Sequence, residues 1–220
     1  GLRGSIERWS GRVGRVSLMM GFPWLKAQRR RLSRIWPHAD AGYHRVMDFE
    51  LRDAIAANTA DAAGIALIYN DAVAHGTAIW NERLVDAAER QVWISARQAA
   101  GWPVLVAVDP QGRVLGYGSF ADFRAFDGYR HTVEHSVYVR ADCRGAGLGA
   151  ILLLALVERA KAAGKHAMVA AIEAGNQASL RLHARCGFEP AGTLRQVGTK
   201  FGRWLDLAFM QRLLDDRPPR

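Results

Sequence analysis

An α/β or α+β domain, with a mixed central sheet and helices on both faces, is what this chain of 220 residues should form. Three features say so. A strand-like stretch, 132–139, runs through a glycine-rich turn into a long apolar helix. Strand and helix patterns alternate from residue 48 to residue 210. Two apolar runs, 104–108 and 114–120, flank the turn Asp109-Pro110-Gln111-Gly112 and read as a hairpin. Half of the chain is hydrophobic, enough for one domain with a real core.

Taken in order, a strand at 48–53 is followed by the capping signal Asn58-Thr59-Ala60-Asp61 and an amphipathic helix to about Tyr69. A second helix, 85–99, stops at Gly101, and the hairpin follows. In 132–139 Val133, His135, Val137 and Val139 alternate with Thr132, Glu134, Ser136 and Tyr138, the period of a two-sided strand. The apolar run 148–163 reads as a buried helix with Lys161 in its last turn and Gly164 beyond it. A strand at 167–173, a helix at 176–185 ended by Gly187, and a strand at 205–210 complete the pattern.

The net charge of +9 raises nucleic acid or an acidic membrane as partners, so its distribution matters. Residues 1–46 carry ten Lys/Arg against Glu7 and Asp40, which is +8 and leaves +1 for 47–220. The basic leader 1–46, with Arg29-Arg30-Arg31 and Arg34, has the composition of a transit peptide and equally of a membrane-surface segment. Its longest apolar run, 16–25, is too short to span a bilayer. The expected organisation is a leader that is peripheral or non-native, a catalytic or binding domain at 47–214, and a tail at 215–220. The body offers no electrostatic reason to expect nucleic acid. Two cysteines, Cys143 and Cys186, do not make a disulfide scaffold, and both are expected reduced in the cytoplasm.

The turn between the strand and helix at 132–163 is the chemical signal. Glycines there let a ligand approach the backbone, and the unpaired N–H groups of the first helical turn form an anion site suited to a pyrophosphate. A Walker loop is excluded, because Leu148-Gly149 stands where Lys-Ser/Thr is required, and the spacing Gly145, Gly147, Gly149 is not that of a dinucleotide fold. The run His131-Thr132-Val133-Glu134-His135 matches a zinc signature, but on a strand the two histidines stand roughly 13 Å apart and cannot chelate one ion. No metal is expected.

What fits is Arg-x-x-Gly-x-Gly-Ala from Arg144 to Ala150, which resembles the acetyl-CoA pyrophosphate loop of the GNAT N-acetyltransferases. Tyr69-Asn70-Asp71-Ala72-Val73, Ala78-Ile79-Trp80-Asn81-Glu82, Asp122-Phe123-Arg124, Thr132 to Val139, Asn176-Gln177-Ala178-Ser179 and Lys200 to Asp206 extend the resemblance over residues 47–214. They look like the phosphinothricin N-acetyltransferase branch, and most like bacterial methionine sulfoximine and methionine sulfone acetyltransferases. Phe123 departs from the tryptophan usual there, keeping an aromatic wall without its indole N–H.

The resemblance implies a GNAT fold with a splayed, bulged strand pair, acetyl-CoA as co-substrate, and a homodimer. It places main-chain groups of Val137, Tyr138 and Val139 on the pantetheine arm, Arg144, Gly145, Ala146, Gly147, Leu148, Gly149 and Ala150 around the pyrophosphate, and Asn176 further along the cofactor. Attack of an amine on a thioester needs a neutral amine, hence a general base, for which Glu134 is the candidate. The Val137 N–H is the candidate donor to the thioester oxygen. His183, in Leu182-His183-Ala184-Arg185, occupies the late-helix position, where a histidine serves as acid or base. Arg124 suits a substrate carboxylate. Trp80, Phe123 and Phe126 would enclose a methionine-like side chain, with Glu134, His135 and Ser136 lining the acceptor site. The expected activity is acetyl transfer to the α-amine of a small amino-acid analogue, by direct attack in a ternary complex. A non-catalytic acyl-CoA-binding module and a protein or peptide N-acetyltransferase are the alternatives.

Overall fold

The computed structural model describes residues 48–218; the leader 1–46, Met47 and the last two residues lie outside them. Among the described residues seven strands form one sheet: β1 (Glu50–Asp53), β2 (Val104–Val108), β3 (Val114–Asp122), β4 (Thr132–Val139), β5 (Ala167–Glu173), β6 (Glu189–Lys200) and β7 (Arg203–Leu213). Four α-helices accompany it: α1 (Thr59–His75), α2 (Ala87–Ala99), α3 (Leu148–Ala162) and α4 (Gln177–Arg185). The sheet order is β1-β2-β3-β4-β5-β7-β6, mixed because β4 and β5 run parallel while the other neighbours are antiparallel.

Both faces are covered. Ile65 and Ile68 of α1 and Ile94 of α2 pack with Val104, Val106 and Tyr117. On the other face α3 lies so close to β3 that a Cβ at Gly116 would stand 3.0 Å from Leu152 Cδ1, and one at Gly118 2.9 Å from Leu156 Cδ1. The helix ends follow local chemistry: the Asn58 side chain accepts the Ala60 N–H at the start of α1, and Asp86 and Glu89 form a capping box at the start of α2. Where α1 begins, the almost fully buried Asp61 takes both guanidinium arms of Arg52, at 2.7 and 2.8 Å, and the Ile55 N–H at 2.9 Å.

Three features depart from expectation. The first helix runs to His75, six residues past Tyr69, because Ala72 and Val73 continue its buried stripe before Gly76 ends it. β6 is a strand the sequence did not announce. It is an exposed edge with glycines and irregular register at 190/192 and 194/198, so it lacks a period-2 apolar face. The expected bulge in the central strand is absent, and β4 pairs with β3 in unbroken register from Val133↔Asp122 to Val139↔Gly116. Beyond β7, Asp215 pairs with His166 at 2.6 Å and Arg217 bonds the Gly164 carbonyl, so this part of the tail is tied to the start of β5. Among the described residues no helix is long and apolar enough to cross a membrane.

The close docking of α3 sets a test. Gly118→Ala should cost about 1–3 kcal/mol in urea unfolding by overpacking against Leu156 and the Ser136 carbonyl. Gly128→Ala, where a Cβ meets nothing within 4 Å, should stay within about 0.5 kcal/mol of the parent.

Candidate active site

The site begins where two strands part. β4 and β5 are in register at Thr132↔Ala167, Val133↔Met168 and Glu134↔Val169, and there their pairing stops, although both strands continue. β3 holds the far edge of β4 to Val139, and β7 holds the far edge of β5 to Glu173. The gap between them is therefore a fixed wedge. Main-chain groups of β4 turn alternately to the two edges. The Ser136 and Tyr138 carbonyls lie toward β3, 3.1 and 3.0 Å from the Cβ positions of Gly118 and Gly116, and the Arg140 N–H reaches the Leu115 carbonyl. Val137 and Val139 thus present their N–H and C=O groups to the wedge. Arg144 Nε donates to the Val139 carbonyl at 3.1 Å, which leaves Val137 as the N–H and carbonyl in mid-wedge.

At the end of β4 the chain makes a 3₁₀ turn at Ala141–Cys143 and enters the glycine loop. Gly145 and Gly147 have φ of 81° and 84°, and a Cβ at either would meet nothing, so glycine is required there for conformation rather than for space. Gly149 is different: inside α3, its Cβ position is 3.2 Å from Leu182 of α4. The start of α3 has no side-chain cap and no acidic residue in its first turn, so its positive end faces outward without compensation. The side chains of Leu148 and Ala150 are buried in the core, and the Ala150 N–H donates to the Gly147 carbonyl at 3.0 Å. The exposed Ala146 lies at the loop tip. Arg144 Nη2 also reaches Asp71 Oδ2 at 3.1 Å, fastening the loop to α1. Asn176 caps α4, its Oδ1 accepting the Ser179 N–H at 3.0 Å.

Even-numbered β4 side chains face α1 and α2. Tyr138 packs on Tyr117, ring centroids 5.3 Å apart, and burial pushes its phenol up to about 12, so only its main chain is available to a cofactor. Glu134 is half-buried at the last paired position before the wedge. Burial raises its carboxyl pKa, and the charge of Arg124 offsets part of that rise. Arg124 is exposed, with its guanidinium 4.1 Å from the Phe123 ring centroid. Glu134 and Arg124 are thus brought within electrostatic reach of each other, whereas Phe126 is 75% exposed and encloses nothing within one chain.

Trp80 lies in the segment joining α1 to α2. Its Nε1 donates to the Thr77 carbonyl at 2.8 Å, and its ring fills the space where a Cβ of Gly198 would be. Thr77 Oγ1 donates to Glu173 Oε2 at 3.0 Å, and Lys200 Nζ to the Ile79 carbonyl at 2.5 Å. Thr77, Glu173, Gly198 and Lys200 carry no motif that marks them as site residues in the sequence. Contacts across about a hundred residues, such as Thr77 with Glu173 and Ile79 with Lys200, leave no local pattern in the sequence.

Comparison with known proteins bears on this arrangement. The model of the acetyltransferase (GNAT) family matches residues 65–188. The chain belongs to the GNAT acetyltransferase family. It is 61% identical over 169 residues, 77% of this chain and 96% of the relative, to the L-methionine sulfoximine/L-methionine sulfone acetyltransferase of Pseudomonas paraeruginosa. To the L-amino acid N-acyltransferase of Escherichia coli K12 it is 58% identical over 161 residues, covering 73% and 93%. Among solved structures, a GNAT phosphinothricin acetyltransferase from Sinorhizobium meliloti in complex with acetyl-CoA superposes with a TM-score of 0.71 at 41% identity, covering 76% of this chain and 89% of that one. The wedge and the glycine loop are this GNAT chain's version of the family fold.

On the α3/α4 face of the acetyltransferase, His135 stacks on His183 with ring centroids 5.1 Å apart and planes inclined by 21°, and Phe188 meets both edge-on. His183 Nδ1 donates to the Ser179 carbonyl at 2.7 Å, which fixes the tautomer because a carbonyl only accepts. Burial lowers the pKa of His183, partly offset by that carbonyl. Neither nitrogen of His135 has a partner, and burial, with His183 beside it, pushes its pKa down to about 3. The His135 side chain is therefore turned away from Glu134 and Ser136, with which the resemblance grouped it, since adjacent strand residues point to opposite faces. Among the described residues no cluster of His, Cys, Asp or Glu is placed to hold a metal.

The buried histidine makes stability pH-dependent. Between about 6.5 and about 3 the unfolded chain binds a proton that folded His135 refuses, so stability falls with pH through that window. Unfolding in urea at a series of pH values should show this slope, and His135→Phe should reduce it, leaving the contribution of His183, whose pKa burial also lowers.

Proposed function

We propose that this acetyltransferase moves the acetyl group of acetyl-CoA to the α-amine of a small amino-acid analogue of the methionine sulfoximine, methionine sulfone or phosphinothricin type. The purpose is detoxification or self-protection. The observation that carries this reading is the position of Glu134, half-buried with a raised pKa, at the point where β4 and β5 part. Acetyl-CoA lies with its pyrophosphate on the loop Arg144–Ala150 and its pantetheine along the β4 edge. Its thioester oxygen accepts from the Val137 N–H. The amine enters from the α1/α2 face with its carboxylate on Arg124. Glu134 takes the amine proton, directly or through one water, as the C–N bond forms. The C–S bond then breaks, and the thiolate leaves and is protonated.

His183 is neutral with Nδ1 committed to Ser179, so in this reading it supplies no proton to the thiolate. It holds α4 beside the wedge, and the proton reaches sulfur through Glu134 or water. Asn176, as the cap of α4, keeps the same helix in place beside the cofactor. The reading includes a homodimer, supported by Leu194, Val197, Phe201 and Trp204, which lie 48–67% exposed on the β6–β7 hairpin. Two free buried cysteines suit a reducing cytoplasm.

Thiol release from acetyl-CoA, measured with methionine sulfone, methionine sulfoximine, phosphinothricin and a short peptide, tests the reading. One of the amino-acid analogues should be turned over, and Glu134→Gln should lower kcat by roughly 10²–10⁴-fold. Turnover of the peptide alone would overturn the assignment of acceptor class. The pH profile gives a signed check. The acid limb set by Glu134 should lie above the ordinary carboxylate range, with activity lost as pH falls and the base is protonated. Arg124→Leu removes the charge that favours the ionised form and should move that limb to higher pH.

A further inference from the structure

The segment 76–86 between α1 and α2 has no regular structure, yet it is held at both ends and along its length. It leaves α1 just past Asp71, whose carboxylate meets Arg144 at the β4 side of the wedge. It passes Thr77, bonded to Glu173 at the end of β5, and reaches Trp80 and Ile79, both fastened to β6. Asn81 Nδ2 then returns to the Tyr69 hydroxyl at 2.6 Å, and Asn70 exchanges two hydrogen bonds with the backbone of Val85 at 2.8 and 3.0 Å. The segment thus crosses from one lip of the wedge to the other, as a strap on the face where Glu134 and Ser136 project.

Two residues on β6 tie down its far end. Lys200 is only 3% exposed, and its ammonium donates to the Ile79 carbonyl and sits 5.0 Å from the Phe201 ring centroid. Burying an ammonium is costly without compensating partners, and an apolar residue of the same length would fill the space without that cost. What the lysine adds is a fixed bond to the strap. Gly198 follows the irregular stretch of β6, where Gln196 has φ of 53° and its N–H is held by Asp206 Oδ1 at 2.8 Å. A Cβ at 198 would stand 2.1 and 2.2 Å from two atoms of the Trp80 ring, so any side chain there displaces the indole. The irregularity and the glycine together make the seat for Trp80.

We propose that Gly198 and Lys200 are specificity-determining positioning residues, which clamp the strap 76–86 across the wedge, hold Trp80 as a rigid wall of the acceptor site, and restrict the acceptor to a free amino acid. The inference rests on the reading that the amine enters from the α1/α2 face beside Glu134. A peptide carries chain beyond the carbonyl of its first residue, and the closed strap leaves that chain no exit. Neither residue touches the reacting atoms.

The test uses the full chain and two independent variants, Lys200→Met, which keeps length without the donor, and Gly198→Ala, which evicts the Trp80 ring. Hydrogen exchange across 76–86 should quicken about tenfold or more in both, with β2 unchanged. KM for methionine sulfone should rise about tenfold, more than kcat falls, while KM for acetyl-CoA stays within about twofold. The preference for methionine sulfone over a short peptide should shrink by a similar factor. If exchange quickens but acceptor KM and peptide discrimination hold, the strap does not set specificity and the proposal fails. Equal losses in both KM values would assign the two residues a general structural role and also overturn it. A parent enzyme that turns over no free amino acid sinks the functional reading and this one with it. A parent that does so, with acceptor KM unmoved in both variants, sinks only this one.

Discussion

Backbone polar groups in a sheet are normally satisfied by the neighbouring strand, so two parallel strands that pair at three positions and then separate need a reason to do so. The reason lies on their outer edges. β3 pairs with β4 over the strand's length and β7 pairs with β5 over its length, so each strand is pinned by a partner that does not follow the other. Below the wedge, α3 packs tightly on the glycines of β3, which fixes the direction in which the loop from β4 must leave. The open edge of β4 is then a row of donors and acceptors held in place before any ligand arrives. Pre-organisation of this kind favours a ligand with its own extended chain of amide groups, and the uncapped start of α3 at one end favours one that also carries negative charge.

The same domain places two carboxylates in opposite electrostatic settings. Asp61 and Glu134 both lose solvent on folding, which alone raises a carboxyl pKa. For Asp61 the hydrogen bonds from Arg52 and the Ile55 N–H outweigh burial, and the carboxyl is held below its usual range. Glu134 has only the charge of Arg124 against it, and burial prevails. Asp61 is thus committed to holding the start of α1, while Glu134 retains a tunable proton affinity beside a gap. The histidines divide along a similar line. Burial keeps His135 and His183 neutral, and their stacked rings join β4 to α4 as apolar packing does.

The parts of this structure that the sequence made legible are those written in local pattern. Alternation in 132–139 marked β4 to the residue, and the glycines at 145 and 147 marked backbone that turns left-handed. Asn58 marked the start of α1. What escaped notice is non-local or exposed. β6 needs no apolar face because it lies at the sheet edge, so its Gly- and Pro-containing sequence resembles a loop. The burial of Lys200 depends on a carbonyl 121 residues away, and the need for glycine at 198 depends on an indole supplied from position 80. The alternation in 132–139 puts His135 on the face opposite Glu134 and Ser136, although the three are consecutive in sequence.

Under the proposed function, the two halves of the site are built from different material. The cofactor side consists of main-chain groups on β4, glycine conformations and a helix end, which most side-chain changes leave intact so long as the fold survives. The proposed acceptor side would be assembled from side chains on segments far apart in sequence: Glu134 and Arg124 around β4, the strap at 76–86, and the β6–β7 hairpin. A single change at any of these alters the wall that an amine meets without touching the loop that holds the anion. A fold divided in this way can keep one donor and exchange acceptors.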